Sequence, residues 1–297
     1  MEARVVRYAD LVPCYNAFID TRSPGSEAKE NFTIIGPGVS ENPDQHVHIA
    51  EPHGFNIGGA RQPPGCVNSQ HSHDTAEVFV IHSGTWSFNI GEHGEDARVI
   101  CNPGDVISLP TGMFRGFTNI GDDSGYLFAV LGGDDPGRVL WAPYVFEMAK
   151  DYGLVLLENG ELVDTAAGQA IPANMNPMPR TTAEQIAKLR CPTQEEAERL
   201  VWRPGTNTAR SQIIGPDGWF QWDHGFNLQR FEMAAADALP TNVLAHANVI
   251  FVQNGTIEVH WDGGSILLAE GDTMTVPAGL EHSLSSPSGG VVFSVSR

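Results

Sequence analysis

The stretch "QHSHDTAEVFVIHSG", residues 70–84, contains two histidines two positions apart, His71 and His73, followed four positions later by Glu77, all residues that can bind a metal. His71, His73 and Glu77 share the same parity, and side chains two apart on a strand point to the same face of a sheet. The run "EVFVIHS" is rich in the β-branched and aromatic residues that strands favour. The spacing therefore predicts two imidazoles and one carboxylate on the inner face of a β structure. Such a set suits Fe(II), Mn(II), Zn, Ni or Cu(II).

The composition indicates a β-rich chain and excludes several classes of partner. The 297 residues suffice for one large or two medium domains, and 32 glycines and 20 prolines indicate many turns. A net charge of −19 leaves no basic footprint for nucleic acid, and an anionic membrane surface would repel it. We therefore expect neither a nucleic-acid nor a membrane partner.

Several features favour a cytoplasmic location. The first residues, "MEARVVRYADLVPCYN", lack the apolar core of a signal peptide, and no apolar run approaches the roughly 18 residues of a membrane span. The four cysteines are scattered without a CxxC pair, which suits reduced thiols better than a disulfide framework.

An internal repeat divides the chain into two copies of one domain. "HGFN" at 53–56 recurs at 224–227, and "EVFVIHSG" at 77–84 aligns with "NVIFVQNG" at 248–255, both at an offset of 171. Further along, "NPGDVISLPTGMFR" aligns with "AEGDTMTVPAGLEH" at an offset of 167, so one loop is shorter. Matches of this length in the same order indicate duplication.

Each copy predicts an all-β fold of short strands separated by turn residues. The predicted organisation is an N-terminal arm (1–30), a first β domain (31–135), a linker (136–205) and a second β domain (206–297). The linker is interpreted as a plain helical and extended connector.

Three segments of this linker carry helix signals. "APYVFEMAKDYG" has helical spacing. Capping boxes are predicted at Thr181 with Glu184 and at Thr193 with Glu196.

These motifs resemble those of a bicupin, a protein with two tandem domains of the cupin superfamily. The first cupin motif, G-x5-H-x-H-x3,4-E-x6-G, is matched by Gly65, His71, His73, Glu77 and Gly84. The second motif, G-x5-P-x-G-x2-H-x3-N, is matched by Gly104, Pro110, Gly112 and Asn119, with Arg115 in place of the histidine. The resemblance implies two double-stranded β-helix, or jelly-roll, barrels with internal pockets. It also implies a divalent metal on His71, His73 and Glu77, with Fe(II) as the leading candidate.

Arg115 stands where the family has its fourth ligand, and a guanidinium offers only donors. At about 6 Å and an effective dielectric near 20, it would repel a divalent ion by roughly 5 kcal/mol, of which Glu77 would offset about half. Two interpretations follow. Arg115 is a catalytic and substrate-binding residue that grips an anionic substrate beside the metal, or it pairs with Glu77 in a pocket that holds no metal.

The second copy has lost most of the ligand set. Asn242, Leu244 and Asn248 replace the three ligands, and only His282 persists, at the position that Arg115 holds in the first copy. His246 has the parity to face inward beside His282. Two histidines make a weak metal site, so we interpret them as pocket or core residues.

Parity also predicts the wall of the first pocket. Phe79 follows Glu77 inward, Phe117 and Asn119 follow Arg115, and Trp86 lies just beyond the next turn. We predict that these four residues contact the substrate. His46 and His48 are weaker candidates for a replacement ligand, and His53, which recurs as His224, is expected to be structural.

The leading hypothesis is a metal-dependent bicupin enzyme, an iron dioxygenase acting on a small aromatic or enolisable organic anion. The alternatives are a redox-neutral metal-dependent isomerase, cyclase or lyase, and a small-molecule binding protein without catalysis. The expected partner is a small anionic substrate. The oligomeric state stays open, with a homodimer as one expectation.

Overall fold

The structure, a computed structural model, describes residues 1–205 and 212–297. Most of the segments predicted as strands are strands, because alternating apolar residues bury one face of each against a core. The N-terminal half contains short 3₁₀ turns at Glu2–Arg4 and Tyr8–Asp10, and the strands β1 (Val5–Val6), β2 (Glu30–Ile35), β3 (Val47–Ile49), β4 (Phe55–Gln62), β5 (Val67–His73), β6 (Glu77–Ser83), β7 (Trp86–Ile90), β8 (Ala97–Cys101), β9 (Val106–Leu109), β10 (Arg115–Asn119), β11 (Gly125–Gly132) and β12 (Val139–Trp141).

The linker and the C-terminal half follow the same pattern of short elements. The linker holds α1 (Pro143–Asp151), β13 (Leu154–Leu156), β14 (Leu162–Asp164), α2 (Ala183–Ile186), α3 (Gln194–Glu198) and β15 (Val201–Trp202). The C-terminal half holds β16 (Gln212–Ile214), β17 (Asn227–Met233), β18 (Asp237–Ala238), β19 (Asn248–Trp261), β20 (Gly264–Ala269), β21 (Thr273–Val276), β22 (His282–Ser286) and β23 (Gly290–Ser296). The longest helix in the described residues, α1, has nine residues, and none is long and apolar enough to cross a membrane.

Two sheets form the N-terminal jelly roll. One has the order β12-β5-β10-β7-β8, and the other has the order β15-β9-β6-β11-β4-β2-β3. Strand β6 is buried on both faces, which explains why its sequence reads as an almost continuous apolar run. Phe79 and Ile81 face the core of this half, whereas Val78 and Val80 belong to a core shared with the C-terminal half.

That shared core holds the two halves together. The rings of Phe128 from β11 and Phe251 from β19 stack with centroids 4.1 Å apart. Phe55 and Phe226, which are equivalent residues of the repeat, also approach each other, with centroids 6.2 Å apart. Apolar side chains from both halves fill this layer. The sheets that face each other across it are therefore shielded from water there.

Each half is completed by a strand from the other copy of the repeat. In the C-terminal half, β1 pairs with β21, so that Val5 lies opposite Met274. In the N-terminal half, β15 pairs with β9, so that Val201 lies opposite Ile107. The exchange adds a neighbour to an edge that would otherwise expose unpaired backbone groups.

The residues after the exchanged strands preserve the same symmetry. Arg7 bonds to Asp272 at 2.6 Å, and Arg203 lies 4.0 Å from Asp105. The repeat therefore extends to "VVR" at 5–7 and "VWR" at 201–203, which lie inside the predicted arm and linker. The predicted boundary at 206 falls outside the described residues.

Two histidines link the halves reciprocally. His53 Nε2 lies 2.5 Å from the hydroxyl of Thr275, and His224 Nε2 lies 2.7 Å from the hydroxyl of Ser108. Thr275 and Ser108 are themselves equivalent residues of the repeat. All of these contacts agree with the structural role expected for His53 and His224.

The linker differs from the plain connector that the sequence suggested. Val139, Trp141, Val145 and Leu154 form an apolar cluster with Ile19 from the N-terminal segment. This cluster packs the linker against the N-terminal jelly roll.

One of the two predicted capping boxes is wrong by one residue. The box at Thr193 and Glu196 is confirmed, but the other is formed by Thr182 and Gln185. The Thr181 hydroxyl instead donates to the Trp141 carbonyl at 3.1 Å, which keeps Thr181 outside helix α2.

The His224 contact predicts a pH-dependent stability. Burial lowers the pKa of His224 to about 4, from an ordinary value near 6.5. Between pH 4 and 6.5 only the unfolded chain binds a proton at this histidine. The contribution of His224 to the free energy of unfolding is therefore complete above pH 6.5 and is lost as the pH falls towards 4. In urea unfolding of the metal-free protein, His224→Gln should reduce the acid-induced loss of unfolding free energy by up to about 3 kcal/mol.

The exposed His246 provides the control. His246→Gln should keep the pH profile of the wild type. A wild-type profile that is flat from pH 7 to 4.5, or identical in His224→Gln, would contradict the assignment.

Candidate metal centre

Strands β5 and β6 bring the three predicted ligands together. His71 and His73 alternate along β5, and the short connection after His73 carries the chain into β6, which begins at Glu77. One ligand atom from each of the three side chains lies within 4.8 Å of the others. All three side chains are buried. This is the arrangement that the parity of the sequence predicts.

The two imidazoles are held in a form that suits metal binding. His71 Nδ1 lies 2.7 Å from the Ser69 carbonyl, which can only accept a hydrogen bond, so Nδ1 carries the proton and Nε2 keeps its lone pair. Burial, followed by the Arg115 charge, lowers the pKa of His71 and of His73 well below the ordinary value. Both rings are therefore neutral at physiological pH.

His73 directs its Nε2 towards the cluster. This Nε2 lies 3.6 Å from Glu77 Oε2, beyond hydrogen-bond range, so it is available to an ion, whereas the buried Nδ1 on the other side of the ring has no partner in the described part of the chain. A buried polar group without a partner costs about 1–3 kcal/mol. The three residues therefore fit a divalent ion in donor type, protonation and proximity.

Arg115 lies beside this cluster and is almost completely buried. It pairs with His71 across strands β10 and β5, so it occupies the position of the missing fourth ligand. Its guanidinium donates to Glu77 Oε2 at 2.8 Å and to the His71 carbonyl at 3.2 Å. Burial raises the pKa of the Glu77 carboxyl, and the Arg115 charge opposes that rise. The guanidinium is thus committed to a ligand carboxylate.

A cavity of about 70 Å³ opens onto the three ligands. Its wall is mostly apolar, and its outer part is formed by the partly exposed Phe18, Val39, Ser40 and Gln45. Among the predicted substrate contacts, Phe79 and Phe117 line the cavity, with ring centroids 5.3 Å apart.

Trp86 and Asn119 do not line this cavity. The Trp86 indole donates to the Ser83 carbonyl at 2.8 Å, and the Asn119 amide donates to the carbonyls of Gln62 and Asp123, each at 2.8 Å. Both side chains stabilise turns at the far end of β10, because strand parity fixes which face a side chain takes but not its depth along the barrel.

Several cavity residues come from segments without a cupin motif. Trp141 pairs with His71 across β12 and β5, and its ring lies 5.3 Å from the His71 ring. Asn68 precedes His71 on β5, and Phe18 comes from the predicted arm. The rings of His46 and His48 contact each other edge to face. Both residues lie outside the ligand cluster and the cavity wall.

The equivalent position in the C-terminal half does not form a comparable cluster in the described residues. His282 is buried, and its Nδ1 lies 3.0 Å from the Leu280 carbonyl. His246 is exposed, so the expectation that it faces inward beside His282 is wrong. The interior of this half is filled by an apolar core that includes Ile250, Met274 and Leu284.

Comparisons with known proteins agree with this architecture. Residues 60–131, which carry all three ligands and Arg115, match the family described as "Cupin domain". Residues 60–131 therefore form a cupin domain.

Two curated relatives match part of this cupin. Germin-like protein subfamily 1 member 7 of Arabidopsis thaliana is 33% identical over 88 residues, which is 28% of this chain and 38% of the relative. Acireductone dioxygenase 1 of Coprinopsis cinerea is 32% identical over 79 residues, which is 26% of this chain and 42% of the relative. The matches thus span about two fifths of these relatives' length.

Solved structures share the fold over nearly the whole chain. The salicylate 1,2-dioxygenase from Pseudaminobacter salicylatoxidans superposes with a TM-score of 0.57 at 13% identity, covering 98% of this chain and 82% of that one. Vicilin from Capsicum annuum superposes with a TM-score of 0.58 at 13% identity, covering 99% and 85%. At such low identity these likenesses establish the bicupin fold and not the activity.

The position of Arg115 predicts the effect of replacing it. Arg115→His should tighten binding of a divalent metal at least about tenfold, because a cation leaves and a neutral imidazole takes its place opposite His71. Arg115→Lys should bind metal less well than Arg115→His, since lysine retains the charge. Chelator competition with Co(II) measures these affinities.

The melting temperature of each metal-free variant provides the control for folding. Losing one member of a buried ion pair costs about 3–5 kcal/mol, so metal-free Arg115→His should melt below the wild type, whereas Arg115→Lys keeps the charge and should melt closer to it. Equal Co(II) affinity in the wild type and in folded Arg115→His would show that the arginine does not influence the site.

Proposed function

We propose that the N-terminal cupin is a metal-dependent oxygenase centre in which His71, His73 and Glu77 hold iron. The substrate class that we propose is a small enolisable or phenolic organic anion. The observation that carries the proposal is the set of two neutral imidazoles and one carboxylate, within 4.8 Å of one another, at the wall of an apolar cavity. Two histidines and one carboxylate are the ligand set of non-haem iron oxygenases.

Bound iron would supply Lewis acidity and open positions for a substrate oxygen and dioxygen. The chain's own residues would bind and orient the substrate and keep bulk water out. Phe79, Phe117 and Trp141 offer flat apolar surfaces to the carbon skeleton. In such a cavity a charged or hydrogen-bonded group of the substrate is directed towards the ligand cluster, because the rest of the wall offers it few polar partners.

The charge of the site supports an anionic substrate. A divalent ion, the Glu77 carboxylate and the adjacent Arg115 guanidinium together carry a positive net charge. We propose that Arg115 contributes mainly through this charge and by holding Glu77. Arg115 does not line the cavity, so direct contact with the substrate, the role expected from the sequence, would require the guanidinium to move towards it.

The cavity volume favours a small substrate. A cavity of about 150 Å³ is known to hold benzene in another protein, and the cavity here is about half as large. An enolisable carbonyl compound of a few carbons is therefore favoured over a substituted aromatic ring, which would need the outer wall to move.

One observation favours a second candidate, a binding protein without catalysis. The Arg115–Glu77 pair is buried and mutually bonded at 2.8 Å, so the carboxylate is already satisfied without a metal. In that case the pocket would bind a small molecule and no metal.

Metal content decides between the two candidates. Protein produced with iron in the medium and never exposed to chelators should carry one divalent ion per chain, and His71→Ala should carry none. Elemental analysis measures both. His282→Ala, which changes the equivalent position of the C-terminal half, should keep the wild-type metal content. A wild-type protein with less than one tenth of an ion per chain would favour the metal-free binding protein.

Oxygen consumption tests the reaction type. The iron-loaded protein should consume dioxygen with at least one member of a panel of 1,3-diketones, hydroxyketones, catechols and hydroxybenzoates, and short diketones should be turned over faster than aromatic compounds. An oxygen electrode with product analysis measures this. Conversion of a substrate without oxygen uptake would favour the redox-neutral enzymes instead.

A further inference from the structure

The N-terminal segment before β2 packs along strand β5, which carries both histidine ligands. Val67 N donates to the Gly25 carbonyl at 2.8 Å, and the Ser26 hydroxyl donates to the Val67 carbonyl at 2.7 Å. Two residues further along β5, Ser69 N donates to the carboxylate of Asp20 at 2.9 Å. The segment therefore takes hydrogen-bonding positions of β5 that another strand would otherwise fill.

This segment also contributes an ion pair with no solvent exposure. Asp20 and Lys29 are bonded to each other, and both side chains are 0% exposed. Removing two charges from water is expensive, and a buried pair is often no more stabilising than apolar residues of the same size. Apolar residues of the same size could therefore provide most of the stability that this pair contributes. The presence of a buried ion pair instead points to a positioning role.

The two members of the pair hold the two residues that flank His71 Nδ1. Asp20 accepts from the backbone of Ser69, whose carbonyl accepts from His71 Nδ1 at 2.7 Å. The Lys29 ammonium donates to Asn68 Oδ1 at 3.1 Å. An ammonium can only donate, so this bond orients the Asn68 amide with its Nδ2 towards the His71 ring, where it packs 3.3 Å from Nδ1 without a hydrogen bond, because Nδ1 already donates to the Ser69 carbonyl.

We propose that Asp20 and Lys29 are positioning residues of the metal centre, which hold the His71 imidazole so that Nε2 faces the ion. The inference rests on the proposed metal site. Metal-ligating histidines usually donate their second N–H to a carbonyl or carboxylate, which fixes the tautomer and the ring orientation. Here the acceptor is the Ser69 carbonyl, and the buried pair fixes the backbone and the amide around it.

The alternative is that the pair only docks the N-terminal segment. Its loss would then lower the melting temperature and leave the affinity of the folded protein for metal unchanged. A positioning role instead predicts lower metal affinity at temperatures where the protein is fully folded.

Neutral double variants test the inference without leaving a lone buried charge. In Asp20→Asn/Lys29→Met the donor to Asn68 is lost, whereas in Asp20→Asn/Lys29→Gln a neutral amide donor remains. Arg7→Met/Asp272→Asn is the matched control, because it removes an ion pair of the N-terminal segment that docks on the C-terminal half. Each protein is compared with the wild type by chelator competition with Co(II), by its cobalt absorption spectrum and by its melting temperature.

The Met variant should bind Co(II) about 10–100-fold more weakly than the wild type and show an altered cobalt spectrum, as is typical when an outer-shell partner of a ligand is lost. The Gln variant should lie between the Met variant and the wild type in both measurements, and the control should bind as the wild type does. If the Met variant does not fold, the Gln variant alone tests the inference. A Co(II) affinity and a cobalt spectrum between those of the wild type and those of His71→Ala would support it.

The inference would be overturned if the folded Met variant kept the wild-type Co(II) affinity and spectrum. If the Met variant does not fold, the same result in the Gln variant would overturn it. Either outcome leaves the proposed metal site intact. A wild-type protein that binds no Co(II) would overturn the proposed function itself, and with it this inference. The two failures are therefore distinguishable from the wild-type measurement.

Discussion

The exchange of one short strand between the two copies of the repeat is the constraint on which the architecture depends. A jelly roll of this size ends in edge strands whose backbone groups need partners, and here β1 and β15 supply them across the interface. Because each half completes the other, the two cupins share a core centred on Phe128 and Phe251. The reciprocal bonds of His53 and His224 lie at equivalent places on this interface. The symmetry is that of a homodimer joined into one chain.

Within this symmetric frame the two pockets have diverged in opposite ways. The C-terminal interior is filled by aliphatic side chains and keeps one buried histidine. The N-terminal pocket keeps two histidines and a glutamate but carries Arg115 where a fourth ligand would stand. A guanidinium 2.8 Å from a ligand carboxylate weakens the hold on a cation and favours anions near the site. We therefore expect Arg115 to lower metal affinity, and its charge supports the proposed preference for an anionic substrate.

The segments outside the repeat shape the N-terminal site. The linker delivers Trp141 against His71, and the residues before β2 deliver Phe18 to the cavity and the Asp20–Lys29 pair behind β5. Differences between the two sites therefore extend beyond the ligand residues themselves.

The sequence by itself determined the strands, the duplication and the ligand set. Period-two alternation is local, so the inward direction of His71, His73, Glu77, Phe79 and Phe117 follows from spacing alone. Gly84 and Gly255 are equivalent residues, and both adopt a positive φ that other residues disfavour, Gly84 at the turn between β6 and β7 and Gly255 inside β19.

Only the tertiary structure decided the partners of those side chains. Parity placed Asn119 on the pocket face, and the position of Trp86 just beyond the turn suggested it as well, but their depth along the barrel puts both at the turns, away from the ligands. It gave His246 the same inward direction as His282, although the loop that carries it is exposed. The pairing of Arg115 with Glu77 and the exchange of β1 and β15 join residues far apart in the chain, and Asp20 and Lys29 are buried against Ser69 and Asn68 of β5, about forty to fifty residues away. Such contacts depend on long-range strand pairing and packing, which no local pattern of residues encodes.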